Sequence, residues 1–76
     1  MTSIILPELG EGIKKATVSY WYYKTGDVVK EGEDLVELTT DKATFNLHSP
    51  ASGSLDQIII PEGGEAKVAE VLGIIR

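Results

Sequence analysis

Short segments of alternating apolar and polar residues run along the whole chain. Turns rich in glycine, proline and acidic residues separate these segments, and no helical stripe of useful length competes with them. The pattern predicts an all-β fold, built as a small sandwich or flattened barrel. Six segments rich in β-branched and aromatic residues are the predicted strands: Ile4–Leu6, Thr17–Tyr23, Leu35–Thr40, Thr44–His48, Leu55–Ile60 and Val71–Ile75.

The aromatic strand has an irregular pattern. Val18, Tyr20 and Tyr22 occupy alternate positions, whereas Trp21 falls out of phase with them. Either a β-bulge or burial of both faces of the strand would accommodate Trp21. Aromatic residues in a strand are more often core packing than a ligand platform, so we expect Trp21 to be buried.

A weak internal repeat joins the two halves of the chain. The residues Val18, Trp21, Gly26 and Leu35 are followed 37 positions later by Leu55, Ile58, Gly63 and Leu72. Gly26-Asp27 matches Gly64-Glu65 better, which predicts a one-residue slip in that turn. The repeat indicates either two similar half-sheets related by a two-fold axis or a chance likeness of strand–turn–strand units.

Composition limits what this chain can do. Its 76 residues are expected to form one domain, residues 1–76, too small to combine a packed core with a deep catalytic pocket. Cysteine is absent and His48 is the one histidine, so disulfides, thiolate metal sites and a thiol nucleophile are excluded. The net charge of −5 disfavours nucleic-acid binding. No signal peptide or membrane-spanning segment is expected.

Lys42 is the candidate for chemistry. It lies with Asp41 and Ala43 in a tight turn between two predicted strands, and such hairpin tips are exposed and sterically open. A modifying enzyme could therefore reach its amine, which sits on a flexible four-carbon stem. An exposed turn lysine is more commonly a solubilising charge, and Asp41 in a turn commonly bonds to its own backbone.

The motifs around Lys42 change that balance. The chain resembles the lipoyl domains of the acyltransferase (E2) components of 2-oxo acid dehydrogenase complexes, within the biotin/lipoyl-attachment family. The resemblance spans essentially the whole chain, and its fragments stand in the family's order and spacing. They are Leu6 to Gly12, Trp21, Gly26 to Val29, Gly32 to Leu35, Thr40-Asp41-Lys42-Ala43-Thr44 and Ser49 to Gly53.

The resemblance implies both a fold and a function. The fold would have two antiparallel four-stranded sheets with quasi-two-fold symmetry, with Lys42 at one end and both termini at the other. Lipoate would be attached covalently to Lys42, and Asp41 and Ala43 would be recognised by a lipoate ligase or lipoyl transferase. The domain would be a monomeric carrier without catalytic machinery, in the bacterial cytoplasm or the mitochondrial matrix. It would serve a dehydrogenase (E1), an acyltransferase core (E2) and dihydrolipoamide dehydrogenase (E3).

Partner choice is expected to depend on residues near the lysine. The family implies that Gly10, Glu11 and Gly12 form a loop beside the modified hairpin that the dehydrogenase recognises; a purely conformational role for the glycines is the alternative. Thr39 stands where many members have glutamate. The segments Asp41 to Thr44 and Ser49 to Ala51 slightly favour the pyruvate-type complex.

Two other functions remain open from the sequence. Biotin carrier domains share the fold, but methionine flanks their lysine on both sides, whereas Asp41 and Ala43 flank Lys42. The other alternative is an unmodified β-barrel interaction module in which Lys42 is incidental.

Overall fold

A computed structural model describes all 76 residues and contains strands and turns but no helix. The all-β prediction is therefore confirmed. None of its segments is a helix that could span a bilayer. The strands are β1 (Thr2–Ile5), β2 (Lys15–Trp21), β3 (Val28–Val29), β4 (Asp34–Thr39), β5 (Thr44–His48), β6 (Gly53–Ile58), β7 (Glu65–Lys67) and β8 (Val71–Ile75).

Two four-stranded antiparallel sheets pack face to face. One has the strand order β1-β8-β6-β3 and the other β5-β4-β2-β7. Apolar side chains from both sheets form one core between them, because alternate residues point inward along most of the strands. The consecutive residues Leu35 and Val36 are both buried, where the register of β4 against β5 shifts. The core residues are Ile4, Leu6, Ala16, Val18, Trp21, Val29, Leu35, Val36, Leu38, Leu55, Ala66, Leu72 and Ile75.

The internal repeat corresponds to a two-fold relation between the sheets. Pairing β2 with β6, β4 with β8, β5 with β1 and β7 with β3 converts one strand order into the other. Backbone hydrogen bonds repeat with the same offset of 37 residues. Gly26 N donates to Leu55 O at 2.7 Å, and Gly63 N donates to Val18 O at 2.8 Å. The two half-sheets are thus equivalent in backbone structure, which confirms the predicted quasi-two-fold symmetry.

The predicted one-residue slip in the turn is wrong. Leu55 N donates to Asp27 O at 2.8 Å, and Val18 N donates to Gly64 O at 2.8 Å, so Asp27 corresponds to Gly64. Gly26 and Gly63 share positive φ angles of 96° and 90°. The slip was predicted because Asp27 and Glu65 are both acidic and each follows a glycine. The hydrogen bonds and the backbone conformation show instead that the offset between the two halves of the repeat stays at 37 residues.

A second pair of equivalent turns shares one backbone conformation, although only one of the two turns has glycine at the position with positive φ. Gly32 has a φ of 89°, and its equivalent Ala69 has a φ of 76°. Each follows the same pattern, since Glu33 N donates to Lys30 O and Glu70 N donates to Lys67 O. A residue with a Cβ is disfavoured in this region by about 1–2 kcal/mol. The surrounding hydrogen bonds therefore hold Ala69 in a conformation that its side chain opposes.

Trp21 is accommodated by a β-bulge. The register of β2 against β4 shifts between Val18 and Tyr20, so Trp21 turns inward with 7% of its surface exposed while Tyr20 is 51% exposed. The indole Nε1 donates to Ile60 O at 2.9 Å, which satisfies the polar atom of the buried ring. The bulge is thus the correct one of the two explanations, and Tyr20 does not share the inward face of Val18.

The symmetry is broken where Trp21 packs. Val36 lies opposite Trp21 in the β2–β4 pair, and the equivalent position opposite Ile58 is Gly73. A Cβ added at Gly73 would lie 3.2 Å from the Trp21 ring and 2.7 Å from Gln57 O. The glycine leaves the space that the large indole fills, so the two halves of the core are complementary in volume.

The termini and the β4–β5 hairpin lie at opposite ends of the fold. Thr2 pairs with Ile75, so the first and last strands place the termini side by side. β1 leads away from the termini towards the loop Gly10–Gly12, which lies beside Lys42. The two-fold relation gives the same result, because the β4–β5 hairpin is equivalent to the junction between the end of β8 and the start of β1.

Candidate functional site

The β4–β5 hairpin carries the candidate site. Its ladder ends at the pair Thr39 and Thr44, and the turn beyond it is closed by Thr40 N donating to Ala43 O at 2.8 Å. Asp41, Lys42 and Ala43 are exposed at its tip. The side chains of Leu35, Val36 and Leu38 anchor β4 in the core. The exposed turn is therefore supported by a strand that is packed in the core.

Thr40 organises the turn through its hydroxyl. Thr40 Oγ1 accepts hydrogen bonds from Lys42 N at 3.2 Å and from Ala43 N at 3.0 Å. The same hydroxyl donates to Ala43 O at 2.9 Å. Thr40 belongs to the family motif around Lys42, but the sequence alone predicted no role for it. A threonine directly before a predicted turn was the available signal, because Ser and Thr hydroxyls form such local bonds.

Asp41 is not part of this bonding. An aspartate in a turn commonly accepts hydrogen bonds from nearby backbone amides, but here the Thr40 hydroxyl accepts them. The Asp41 carboxylate makes no hydrogen bond or ion pair within the chain. Asp27 shows the contrasting case, since its Oδ2 accepts a bond from Lys24 N at 2.8 Å in its own turn. The Asp41 carboxylate is therefore free to contact another molecule.

The Lys42 amine is free of ion pairs. The three ion pairs of the structure involve Lys15, His48 and Arg76, each with an acidic partner. Lys42 is exposed, and its Nζ approaches the backbone of Gly12. An exposed primary amine without a counter-ion is accessible for amide formation once it loses its proton.

The loop Gly10–Gly12 lies beside the lysine. Gly12 has a φ of +81°, and a Cβ added there would lie 3.4 Å from Lys42 Nζ. Ile13 N donates to Gly10 O at 3.2 Å, which closes the loop before β2 begins. A side chain at position 12 would meet both an unfavourable backbone conformation and the lysine amine. The structure thus brings this predicted loop and the predicted lysine together.

A polar groove adjoins the hairpin and the loop. Its volume is about 630 Å³, and the predicted residues Gly12, Thr39 and Asp41 all line it. The Thr39 hydroxyl hydrogen-bonds to the Ser19 hydroxyl. Gly10 and Glu11 line a neighbouring depression of about 390 Å³, also with Gly12. Five of the predicted residues therefore line one surface region at the tip, with Lys42 and Ala43 on the turn itself.

Tyr23, the residue with a shifted pKa, lies away from this region. The Tyr23 hydroxyl donates to Glu33 Oε1 at 3.1 Å, and this hydrogen bond raises the pKa of Tyr23 above its ordinary value. Burial and the carboxylates of Glu33, Asp27 and Asp34 raise it further. Glu33 precedes the start of β4, at the end of that strand opposite Thr39. The shift therefore belongs to the scaffold and not to the hairpin tip.

Comparison with known proteins decides the family. A family model described as "Biotin-requiring enzyme", the biotin/lipoyl model, matches residues 2–75. The chain belongs to the biotin/lipoyl-attachment family. Within this family the fold is that of a lipoyl domain: the solved lipoyl domain of the 2-oxoglutarate dehydrogenase complex of Azotobacter vinelandii matches with a TM-score of 0.78. It is 32% identical, and the match covers 97% of this chain and 94% of that one.

Curated relatives of this family member are acyltransferase components. The dihydrolipoyllysine-residue succinyltransferase component of the 2-oxoglutarate dehydrogenase complex of Rickettsia bellii is 43% identical over 96% of this chain. The corresponding component of Bartonella vinsonii is 45% identical over 99% of the chain. The chain spans about 18% of the length of each of these relatives.

The slight preference for a pyruvate-type complex is not supported. The acetyltransferase component of the pyruvate dehydrogenase complex of Staphylococcus epidermidis is 36% identical over 88% of this chain, covering 16% of that relative. This identity is lower than that of the two 2-oxoglutarate-type relatives. The segments Asp41 to Thr44 and Ser49 to Ala51 were too short to distinguish the two complexes.

Proposed function

We propose that this domain is a lipoyl carrier, with lipoate attached as an amide to Lys42 Nζ. The observation that carries the proposal is the exposed, unpaired Lys42 amine at the tip of the hydrogen-bonded β4–β5 hairpin in a member of this family. Asp41 and Ala43 flank it, in place of the methionines expected beside a biotinylated lysine. They would be the residues that a lipoate ligase or lipoyl transferase contacts.

The residues present fit such a group. The amine makes no ion pair, the turn residues Asp41, Lys42 and Ala43 are exposed, and a groove of about 630 Å³ adjoins the turn. Forming the amide removes the lysine charge and leaves the chain one unit more negative than −5. When bound, lipoate supplies the acyl-accepting and electron-accepting disulfide. The protein contributes only presentation: Thr40 and the ladder below it hold the attachment point away from the core.

The carrier would work between three partners. A dehydrogenase (E1) would transfer an acyl group to the arm, which is the Lys42 side chain with its lipoyl group. An acyltransferase core (E2) would receive the acyl group, and dihydrolipoamide dehydrogenase (E3) would reoxidise the dithiol. Because the arm is tethered, each encounter becomes intramolecular at a high effective concentration. The domain would be monomeric, without catalysis of its own, within an acyltransferase chain of the bacterial cytoplasm or the mitochondrial matrix.

The position of Lys42 supports this arrangement. Its hairpin lies at the end of the fold opposite the paired termini. A linker joined to either terminus would therefore leave the arm facing outward. Gly10, Glu11, Gly12 and Thr39 surround the attachment point and would be the surface that the dehydrogenase recognises.

The type of complex follows from which dehydrogenase loads the arm. We propose the 2-oxoglutarate type, supported by the relatives at 43% and 45% identity. Lipoylated domain incubated with 2-oxoglutarate dehydrogenase and its substrate should gain a succinyl group at least about tenfold faster than it gains an acetyl group from pyruvate dehydrogenase. Intact mass against time measures both rates.

Each outcome of that comparison has one meaning. Faster acetylation than succinylation would overturn the 2-oxoglutarate assignment and leave the carrier function standing. Acylation by neither enzyme would contradict the carrier function itself. The unlipoylated domain is the matched control, because it should gain no acyl group from either dehydrogenase.

A further inference from the structure

Thr40 makes more hydrogen bonds at the hairpin tip than any other side chain there. One hydroxyl accepts from Lys42 N and Ala43 N and donates to Ala43 O. Neither of those two amides has a backbone acceptor, since the only backbone bond across the turn runs from Thr40 N to Ala43 O. The conformation of the turn therefore depends on the side chain of Thr40.

The geometry of the amides fixes the direction of the lysine. Lys42 N is held at 3.2 Å and Ala43 N at 3.0 Å from the same oxygen, on either side of the Lys42 Cα. Fixing both peptide groups restricts the φ and ψ angles of Lys42, and these angles set the direction of its Cα–Cβ bond. Without the hydroxyl, both amides would turn to water and the tip would sample several conformations.

The same arrangement leaves Asp41 unused within the chain. An aspartate in a tight turn commonly accepts bonds from nearby backbone amides, as Asp27 does from Lys24 N at 2.8 Å. At the hairpin tip Thr40 takes that role. The carboxylate next to the modified lysine is consequently available to a positive group on another protein.

We propose that Thr40 is a positioning residue for the covalent modification of Lys42. Its hydroxyl sets the direction in which Lys42 is presented and frees Asp41 for contact with the modifying enzyme. The inference rests on the proposed lipoyl function, and it adds a residue that touches neither lipoate nor the reacting amine.

Replacing the hydroxyl by a methyl group tests the inference. Thr40→Val keeps the branched shape and removes all three bonds, whereas Thr40→Ser keeps the hydroxyl. With lipoate, ATP and a lipoate ligase, we expect kcat/KM for modification to fall at least about tenfold in Thr40→Val, because all three bonds that hold the turn through this hydroxyl are lost. Thr40→Ser should stay within about threefold of wild type. Mass spectrometry of timed samples gives the rates.

Thr44→Val is the matched control. Thr44 is exposed at the other side of the same turn, and its hydroxyl makes no hydrogen bond, so its removal should leave the rate unchanged. Modification of Thr40→Val at the wild-type rate would overturn the proposal. Equal losses in Thr40→Val and Thr40→Ser, or in Thr40→Val and Thr44→Val, would overturn it as well, because the Thr40 hydroxyl would not be responsible.

Amide hydrogen exchange tests the same claim without any modification. In Thr40→Val the amides of Lys42 and Ala43 should exchange several-fold faster, while core amides such as that of Leu38 keep their wild-type rates. Unchanged exchange at both turn amides would overturn the proposal even if modification slowed. If wild-type protein is never modified, the proposed lipoyl function fails, and the exchange result still decides whether Thr40 holds the turn.

Discussion

The Lys42→Arg domain should fold as the wild type does and remain entirely without a lipoyl group after incubation with lipoate, ATP and a lipoate ligase. Arginine keeps the positive charge but remains protonated at all working pH values, so it offers no free amine for amide formation. Lys42 is exposed and takes no part in an ion pair, so its loss removes no contact that holds the fold. Intact mass measures the modification, and the urea unfolding midpoint measures the fold.

Lys67→Arg provides the control for that result. Lys67 is also exposed, and it lies in β7, whose short ladder with β2 borders the same end of the domain. This variant should be modified to completion at the wild-type rate. Any lipoyl adduct on Lys42→Arg, or a loss of adduct on Lys67→Arg, would contradict the assignment of the attachment site.

The largest effect on stability is expected from Trp21→Ala. The indole is buried, its Nε1 donates to Ile60 O at 2.9 Å, and its ring packs on the backbone of Gly73. Removing a buried Trp side chain costs about 3–5 kcal/mol, because apolar burial is lost and a cavity remains. A domain of this size has about 4–11 kcal/mol of stability in total. The variant should therefore lose a large part of its free energy of unfolding, so that its urea midpoint and its melting temperature fall well below those of the wild type.

Tyr20→Ala is the matched change one residue away. Tyr20 lies on the outer face of β2 with 51% of its surface exposed, in edge-to-face contact with Tyr22. Its removal should cost about 1 kcal/mol, the value of such an aromatic pair. Equal destabilisation by both substitutions would show that the bulge does not direct Trp21 into the core.

The six longer strands were predictable because each is long enough to show a pattern of apolar residues, although four of them were predicted one or two residues too far along the chain. Thr44–His48 and Val71–Ile75 were predicted with their observed bounds. β3 and β7 were missed as separate segments, since they have two and three residues and only Val29 and Ala66 in them are buried. A strand with one inward residue has no period to detect, so only the pairing of its backbone reveals it.

The local sequence pattern could not predict how Trp21 is accommodated in β2. The break in alternation was visible in the sequence, but choosing a bulge over two-sided burial required the register of β2 against β4. That register depends on partner residues 15 to 22 positions away along the chain. The glycine at position 73 that accommodates the indole is more distant still, so its role followed only from the folded core.

The candidate site was predicted by resemblance and refined by geometry. The position of Lys42 at a hairpin tip followed from the strand pattern, whereas its modification followed from the family motif. The proximity of Gly12 to the Lys42 amine brings together two loops about 30 residues apart along the chain and could not be predicted from either loop alone. The sequence also could not show which of Thr40 and Asp41 accepts the hydrogen bonds of the turn amides, because both residue types favour the same local bonds.

Peptide-resolved mass spectrometry of the wild-type domain tests the central claim most directly. The chain has six lysines, and all of them compete for lipoate in one sample containing ATP and a lipoate ligase. We predict one lipoyl amide per molecule, located on Lys42, with the other five lysines unmodified. A folded domain that acquires no adduct, or one that acquires its adduct on another lysine, would contradict the account.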